Sequence, residues 1–351
     1  MAKLHCAGVG SIYMNFLDAY LQPRQAEVVV EGVASDKFTI QNTVFQGTVL
    51  GPMLWNLFFA DVSFPAASTG GNVSKFADDL NVFQTFNKET DNGEILRVMH
   101  VCRDRVHRWG RLNRVAFDAT KEHLAIIHPL LGEGDDFKLL GCQFDCKLIM
   151  RQAVENILGQ MRPKISAILK TKPYYEEKDL IGQFKTHVWG IMEQNNGAIF
   201  HASNYLLDRL DACQRHFLHE IDMTETDAFL KYNFGTPSLR RDIGILGLLH
   251  KRVLGKAHPV FQDLLPFHRE DHGASTGSHS KQLYGRQLEI KFQVQLHHRS
   301  MFSMVHIYNR LSQNTVNSNS VSAFQSQLTR IARERCMRGD PDWMKIFSDR
   351  G

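Results

Sequence analysis

No apolar run in this sequence approaches the roughly 20 residues that a membrane-spanning helix needs, so no membrane segment is predicted. A secretory signal peptide is also lacking, and only six cysteines are spread over 351 residues. These absences favour an intracellular, reducing environment, either nuclear or cytoplasmic. Neither charge sign dominates: a formal net charge of +4 permits a nucleic-acid partner but does not argue for one.

Clusters of metal-binding cysteines and histidines are scarce as well. Only Cys142 and Cys146 lie close together, and no second pair at ligand spacing accompanies them, so two half-buried thiols on a strand explain them better than zinc. His268, His272 and His279 fall in a stretch rich in Gly, Ser and His, without acidic or cysteine partners at a fixed spacing. A polar linker therefore explains these histidines better than a metal site.

The pattern of apolar residues changes near Met150. Before it, short β-rich runs alternate with helical segments, and hairpins are more evident than βαβ repeats, which predicts an α+β layer. After it, helical periodicity dominates. The predicted organisation is an α+β domain over 1–150, a helical region over 151–266, a flexible linker over 267–285 and a small helical segment over 286–351.

The segment VSKFADDLNVF, residues 73–83, places Asp78 and Asp79 side by side in an otherwise apolar run. Burial of one unpartnered carboxylate is costly, and two adjacent like charges add to that cost unless a cation or a turn relieves it. The residues alone leave two interpretations open. One is a solvated turn at the tip of a hairpin, and the other is a site for a divalent metal ion.

Four segments, in order along the chain, resemble motifs of reverse transcriptases, specifically those encoded by non-LTR (LINE-like) retrotransposons. VFQGTVLGP, residues 44–52, resembles motif B, and FADD, residues 76–79, resembles motif C. Residues 109–129 resemble motif D, and FKLLGCQFD, residues 137–145, resembles motif E. The later segments LLDRLDACQRHFLHEI and GTPSLRRDIGILGLL are similar to the thumb and post-thumb helices of these enzymes.

This resemblance implies an RNA-directed DNA polymerase, a nucleotidyltransferase with a right-hand palm over 1–150 and a thumb-like helical region after it. It implies two-metal catalysis with Mg²⁺ or Mn²⁺, for which Asp78 and Asp79 are the catalytic and metal-binding carboxylates. The implied partners are an RNA template, a DNA primer and deoxynucleoside triphosphates, with further nucleic-acid contact through the helical region.

Other site residues follow from the same resemblance. Gln46, Gly47 and Phe76 are implied to contact the nucleotide or the template, and Lys121 is implied to donate a proton to the departing pyrophosphate. Without the resemblance, Gln46 and Gly47 would be interpreted as a turn into a helix, and Lys121 as a surface charge.

The resemblance also predicts that part of the enzyme is missing. The counterpart of motif A, which carries the third metal-binding aspartate, would precede the segment at Met1, and Asp18, on an amphipathic helix, does not match it. The fingers are missing too. An N-terminally truncated reverse transcriptase that is inactive as an isolated chain is therefore the leading hypothesis. The alternatives are a helical interaction protein and a catalytically dead remnant that binds nucleic acid through basic residues of the helical region: Arg209, Arg215, Arg240, Arg241, Lys251 and Arg252.

Overall fold

The computed structural model of the chain describes residues 1–41, 44, 47–128, 130–268, 279–285, 288, 291–348 and 350. Gln46 and most of the predicted linker lie outside the described residues. The chain divides into two compact units, Met1–Glu122 and His123–Gly351. This division falls earlier than the boundary predicted near Met150.

The first unit combines short helices, β hairpins and one long helix. A 3₁₀ turn at Ala60–Val62 joins α3 to α4, and a second lies at Ala119–Lys121. The helices and strands are α1 (Ala2–Cys6), α2 (Ser11–Tyr20), β1 (Arg24–Ala26), β2 (Val29–Val30), β3 (Val33–Ala34), β4 (Phe38–Ile40), α3 (Gly51–Phe58), α4 (Ser63–Ala67), β5 (Asn72–Phe76), β6 (Asp79–Phe83) and α5 (Asn92–Asn113).

The core of the first unit forms where α5 packs on α3, α4 and the turn between them. Asp91 fixes the start of α5, because its side chain accepts a hydrogen bond from the Glu94 amide at 3.0 Å. Val73, Leu80 and Val82 of the β5–β6 hairpin pack against this core from one face. Its buried members are Phe59, Val62, Ala66, Cys102, Val106 and Trp109.

The second unit is mostly helical, as the sequence predicted. A π-helical turn at Lys185–Trp189 joins α7 to α8. The elements are β7 (Ala125–Ile126), β8 (Glu133–Gly134), β9 (Phe137–Leu139), β10 (Cys142–Phe144), α6 (Arg151–Lys170), α7 (Glu177–Phe184), α8 (Gly190–Glu193), α9 (Asn196–Ile199), α10 (Asn204–Glu220), α11 (Glu225–Tyr232), α12 (Pro237–Val253), α13 (Val260–Leu264), α14 (Lys291–His298), α15 (Val305–Asn309), α16 (Gln313–Val316) and α17 (Val321–Met337).

Two apolar clusters stabilise the second unit. The first lies among α6, α7 and α10 and includes the fully buried side chains of Phe184 and Phe217. The second lies among α12, α15 and α17 and includes the fully buried Leu246, Tyr308 and Phe324. The helices of the predicted C-terminal segment therefore share a core with α12.

Residues 279–285, the described end of the predicted linker, are packed against this second cluster. The His279 side chain is buried, and its Nε2 lies 3.0 Å from the Tyr308 carbonyl oxygen. Leu283 is fully buried and forms a β-bridge with Phe267. These contacts give His279 a structural role, which the polar composition of the segment did not predict.

The α+β class with antiparallel pairing is confirmed. The described strands form five two-stranded sheets, β1–β4, β2–β3, β5–β6, β7–β8 and β9–β10. They do not form the single antiparallel sheet expected of a palm, because each strand is short and pairs with only one partner nearby in sequence. Within the described ranges, no helix is long and apolar enough to cross a membrane.

The stability of the second unit is expected to depend on pH through His201. Burial, with help from the charges of Arg299 and Arg350, lowers the pKa of His201 from 6.5 to about 4. The unfolded chain takes up this proton near pH 6.5, so the contribution to stability is complete above that pH and is lost as the pH falls toward 4. The expected loss in the free energy of unfolding is about 3 kcal/mol. Urea titrations should show that the free energy of unfolding of His201→Gln falls less at acidic pH than that of the wild type. An equal fall in this variant would contradict the assignment of the pH dependence to His201.

Candidate functional site

Strands β5 and β6 form a tight hairpin with Asp78 at its tip. The register pairs Asn72 with Phe83 at the open end and Phe76 with Asp79 at the closed end, which leaves Ala77 and Asp78 as the turn. Ala77 has a φ of +52°, in the left-handed region. The hairpin predicted from the sequence is confirmed, and both aspartates are exposed at its tip.

The alternation of side chains between the two faces of the hairpin explains why its acidic pair is exposed. Side chains alternate between the two faces of a strand, so Val73, Leu80 and Val82 share the face that packs on the core of the unit. Phe76 and Asp79 lie on the opposite face, and Phe76 is 64% exposed. The hairpin thus buries its aliphatic residues without desolvating either carboxylate.

Helix α3 fixes the hairpin tip through Trp55. The indole Nε1 of Trp55 donates a hydrogen bond to the Ala77 carbonyl oxygen at 2.9 Å. The Trp55 ring in turn stacks on Phe59, with 5.1 Å between the ring centroids, and Phe59 is buried in the core. The backbone next to Asp78 is therefore tied to the core of the unit.

Gly47 lies in the loop before α3, and Gln46 is outside the described residues. Gly47 has a φ of +79°, a conformation that favours glycine because a side chain at this φ is strained. Among the described residues, apart from its neighbours in the chain, no atom lies within 4 Å of where its Cβ would be.

Lys121 ends the 3₁₀ turn after α5, and its side chain is 83% exposed. Its Nζ lies 3.7 Å from Oδ2 of Asp118. Hydrogen bonds from Thr120, more than the charge of Lys121, hold the pKa of Asp118 below its usual value. Among the described residues, no hydrogen bond or ion pair joins Lys121 to Asp78 or Asp79, so the structure does not bring these three predicted residues into direct contact.

The described part of the chain contains no group of three or more His, Cys, Asp or Glu side chains arranged to hold a metal ion. Among the residues that the structure describes, Asp78 and Asp79 are therefore two carboxylates without a third. A hard cation such as Mg²⁺ keeps its water ligands unless several anionic oxygens converge on it, so two exposed carboxylates provide weak binding.

No protein-family model matches this chain. No curated protein and no solved structure matches it either.

Sequence reasoning did not identify Asp61, which organises the other end of α3. The Asp61 carboxylate accepts hydrogen bonds from Lys3 Nζ at 2.7 Å and from Trp109 Nε1 at 3.1 Å. The Lys3 ammonium also lies over the ring of Phe58, 4.4 Å from its centroid. These partners are 58 and 48 residues away from Asp61 in sequence, so no local pattern signals the contact.

The basic residues predicted to contact nucleic acid in the helical region are largely engaged within the protein. The Arg241 guanidinium forms two hydrogen bonds with the Asp211 carboxylate, at 2.6 and 2.8 Å, and both side chains are buried. The Arg252 side chain is buried too, and its Nε donates to the Phe261 carbonyl oxygen at 3.1 Å. Three more of these basic residues form ion pairs with carboxylates: Arg209 with Glu155, Arg215 with Asp208 and Arg240 with Glu193. Lys251 is exposed.

Proposed function

We propose that this chain is the palm and thumb part of a reverse transcriptase of the non-LTR retrotransposon type, with Asp78 and Asp79 as its metal-binding carboxylates. The observation that supports this proposal is the position of Asp78 at the tip of the β5–β6 hairpin, beside the Phe76–Asp79 pair. A turn held between paired strands presents adjacent carboxylates in a fixed arrangement, as a divalent cation requires. The order of the four motif resemblances supports the same assignment.

Each proposed residue has a distinct task. Asp78 is the ligand for Mg²⁺ or Mn²⁺, and Asp79 assists it from the first position of β6. In the same proposal, Gln46 and Gly47 contact the base pair that forms between template and incoming nucleotide. Lys121 belongs to the same proposal as proton donor, and its 83% exposure leaves its ammonium accessible to a bound triphosphate.

The proposal does not include polymerisation by this chain alone. Two-metal catalysis clamps the attacking hydroxyl and the leaving pyrophosphate between ions that are held by several carboxylates. Since no third carboxylate accompanies Asp78 and Asp79 among the described residues, the proposal assigns them one weakly held divalent cation and not a pair of ions. The expected activity is therefore binding of a primer–template duplex, which is also what a catalytically dead remnant would do.

Binding of an RNA template annealed to a DNA primer tests the proposal directly. Fluorescence anisotropy of a labelled duplex should show saturable binding at low salt. Its affinity should fall steeply as salt rises, with a slope of about −0.9 in log–log form for each phosphate that the protein neutralises. A slope near zero, or no binding at low salt, would contradict the proposal and favour a helical interaction protein.

A further inference from the structure

Helix α5 is unusually rich in arginine. It contains five arginines and no lysine, and a sixth, Arg114, follows as its C-terminal cap. Its two acidic residues, Glu94 and Asp104, balance only part of this charge. The helix therefore carries a net positive charge along much of its length.

Three of these arginines form one line along the exposed side of the helix, called here the α5 arginine stripe: Arg97, Arg108 and Arg111. Spacings of 11 and 3 residues return to nearly the same side at 3.6 residues per turn, and the stripe is about 21 Å long at 1.5 Å per residue. All three are exposed. The opposite side of α5 is buried in the unit core through Cys102, Val106 and Trp109.

Ion pairs within the protein neutralise little of the positive charge of the stripe. Arg97 Nη2 lies 3.9 Å from Oε1 of Glu94, a long contact between exposed groups. Asp104 lies on the same side of the helix as the stripe, seven residues after Arg97, and it pairs with Arg103 at 3.0 Å. In the described part of the chain, no carboxylate pairs with Arg108 or Arg111. This distinguishes the stripe from Arg209, Arg240 and Arg241 of the second unit, which are held by carboxylates.

We propose that the α5 arginine stripe binds the phosphate backbone of a nucleic-acid duplex. Guanidinium groups match phosphate in charge and form two parallel hydrogen bonds with it, which lysine does not. The inference rests on the proposed function and names its contact surface, which is in the first unit and not in the thumb-like helices predicted from the sequence.

An anionic membrane is a less suitable partner for this surface. A helix that binds a membrane interface places an apolar face among the lipids. The apolar side of α5 is already packed in the core, and only Val101 and Leu112 are exposed large apolar residues on the helix. The exposed side therefore offers charge and hydrogen-bond donors rather than an insertable surface.

The test compares two triple variants of the full chain in binding to an RNA–DNA hybrid of about 20 base pairs, which is longer than the stripe. Arg97→Gln/Arg108→Gln/Arg111→Gln should reduce the affinity at low salt at least about tenfold and make the log–log salt slope less negative by about 2 to 3. The matched control, Lys164→Gln/Lys170→Gln/Lys178→Gln, removes the same charge from exposed positions of the second unit and should keep the affinity within about twofold.

A further variant and further ligands distinguish a failure of this inference from a failure of the proposed function. Arg97→Lys/Arg108→Lys/Arg111→Lys keeps the charge and the helix, and should bind with intermediate affinity because only the paired hydrogen bonds are lost. An unaltered affinity in the glutamine variant, or an equal loss in the control, would overturn the inference but leave the proposed function intact. Absence of binding by the wild-type chain would instead overturn the proposed function. Equally tight, stripe-dependent binding to anionic vesicles or to polyglutamate would overturn the assignment to nucleic acid.

Discussion

Replacement of Asp211 by alanine is expected to lower the free energy of unfolding by about 3–5 kcal/mol. The Arg241 guanidinium is buried, and Asp211 accepts hydrogen bonds from both of its terminal nitrogens. Without the carboxylate, Arg241 would keep its charge in a poorly hydrated site with no counterion. Urea denaturation of the wild type and of Asp211→Ala measures the difference.

Asp208→Ala is the matched control for this prediction. Asp208 also pairs with an arginine, Arg215, at 2.8 Å, but its side chain is 67% exposed. Exposed ion pairs contribute about 0–1 kcal/mol, so this variant should be close to the wild type. Combining Asp211→Leu with Arg241→Met should recover much of the lost stability, because no unpaired charge is left in the core. A loss below about 1 kcal/mol in Asp211→Ala would contradict the account.

Local sequence signals predicted the local structure well. Helical periodicity after Met150 predicted a helical region, and α6 spans Arg151–Lys170. The adjacent Asp78 and Asp79 in an apolar run suggested the tip of a hairpin, and they lie at the closed end of the β5–β6 pair. These features depend on residues only a few positions apart, which is the range over which periodicity and turn chemistry act.

Long-range pairing was not predictable in the same way. Arg241 looked like a basic residue available to a phosphate, yet its partner Asp211 lies 30 residues earlier on another helix. His279 looked like part of a polar linker, and its burial against Tyr308 depends on how α12, α15 and α17 assemble. Composition gives no information on such contacts, because they arise only when distant elements pack.

Replacement of Asp78 by asparagine is expected to abolish binding of Mn²⁺ at the hairpin tip. A neutral amide oxygen is a much poorer ligand for a hard cation than a carboxylate oxygen, and the site has no surplus of anionic groups. Asp79→Asn should weaken binding less, because Asp79 lies in the paired strand beside the turn. Titration with Mn²⁺, followed by the relaxation of nearby protons, measures both losses.

The most direct measurement is the effect of Mn²⁺ on the indole N–H resonance of Trp55, with the primer–template duplex present. That N–H is hydrogen-bonded to the carbonyl of Ala77, the residue before Asp78, so a paramagnetic ion at the tip lies close to it. The account predicts that Mn²⁺ broadens this resonance in the wild type and in Asp36→Asn, an exposed control in the same unit. Excess Mg²⁺ should restore the signal, and Asp78→Asn should show no broadening. Broadening that persists in Asp78→Asn, or none in the wild type, would contradict the assignment of the hairpin as a metal site.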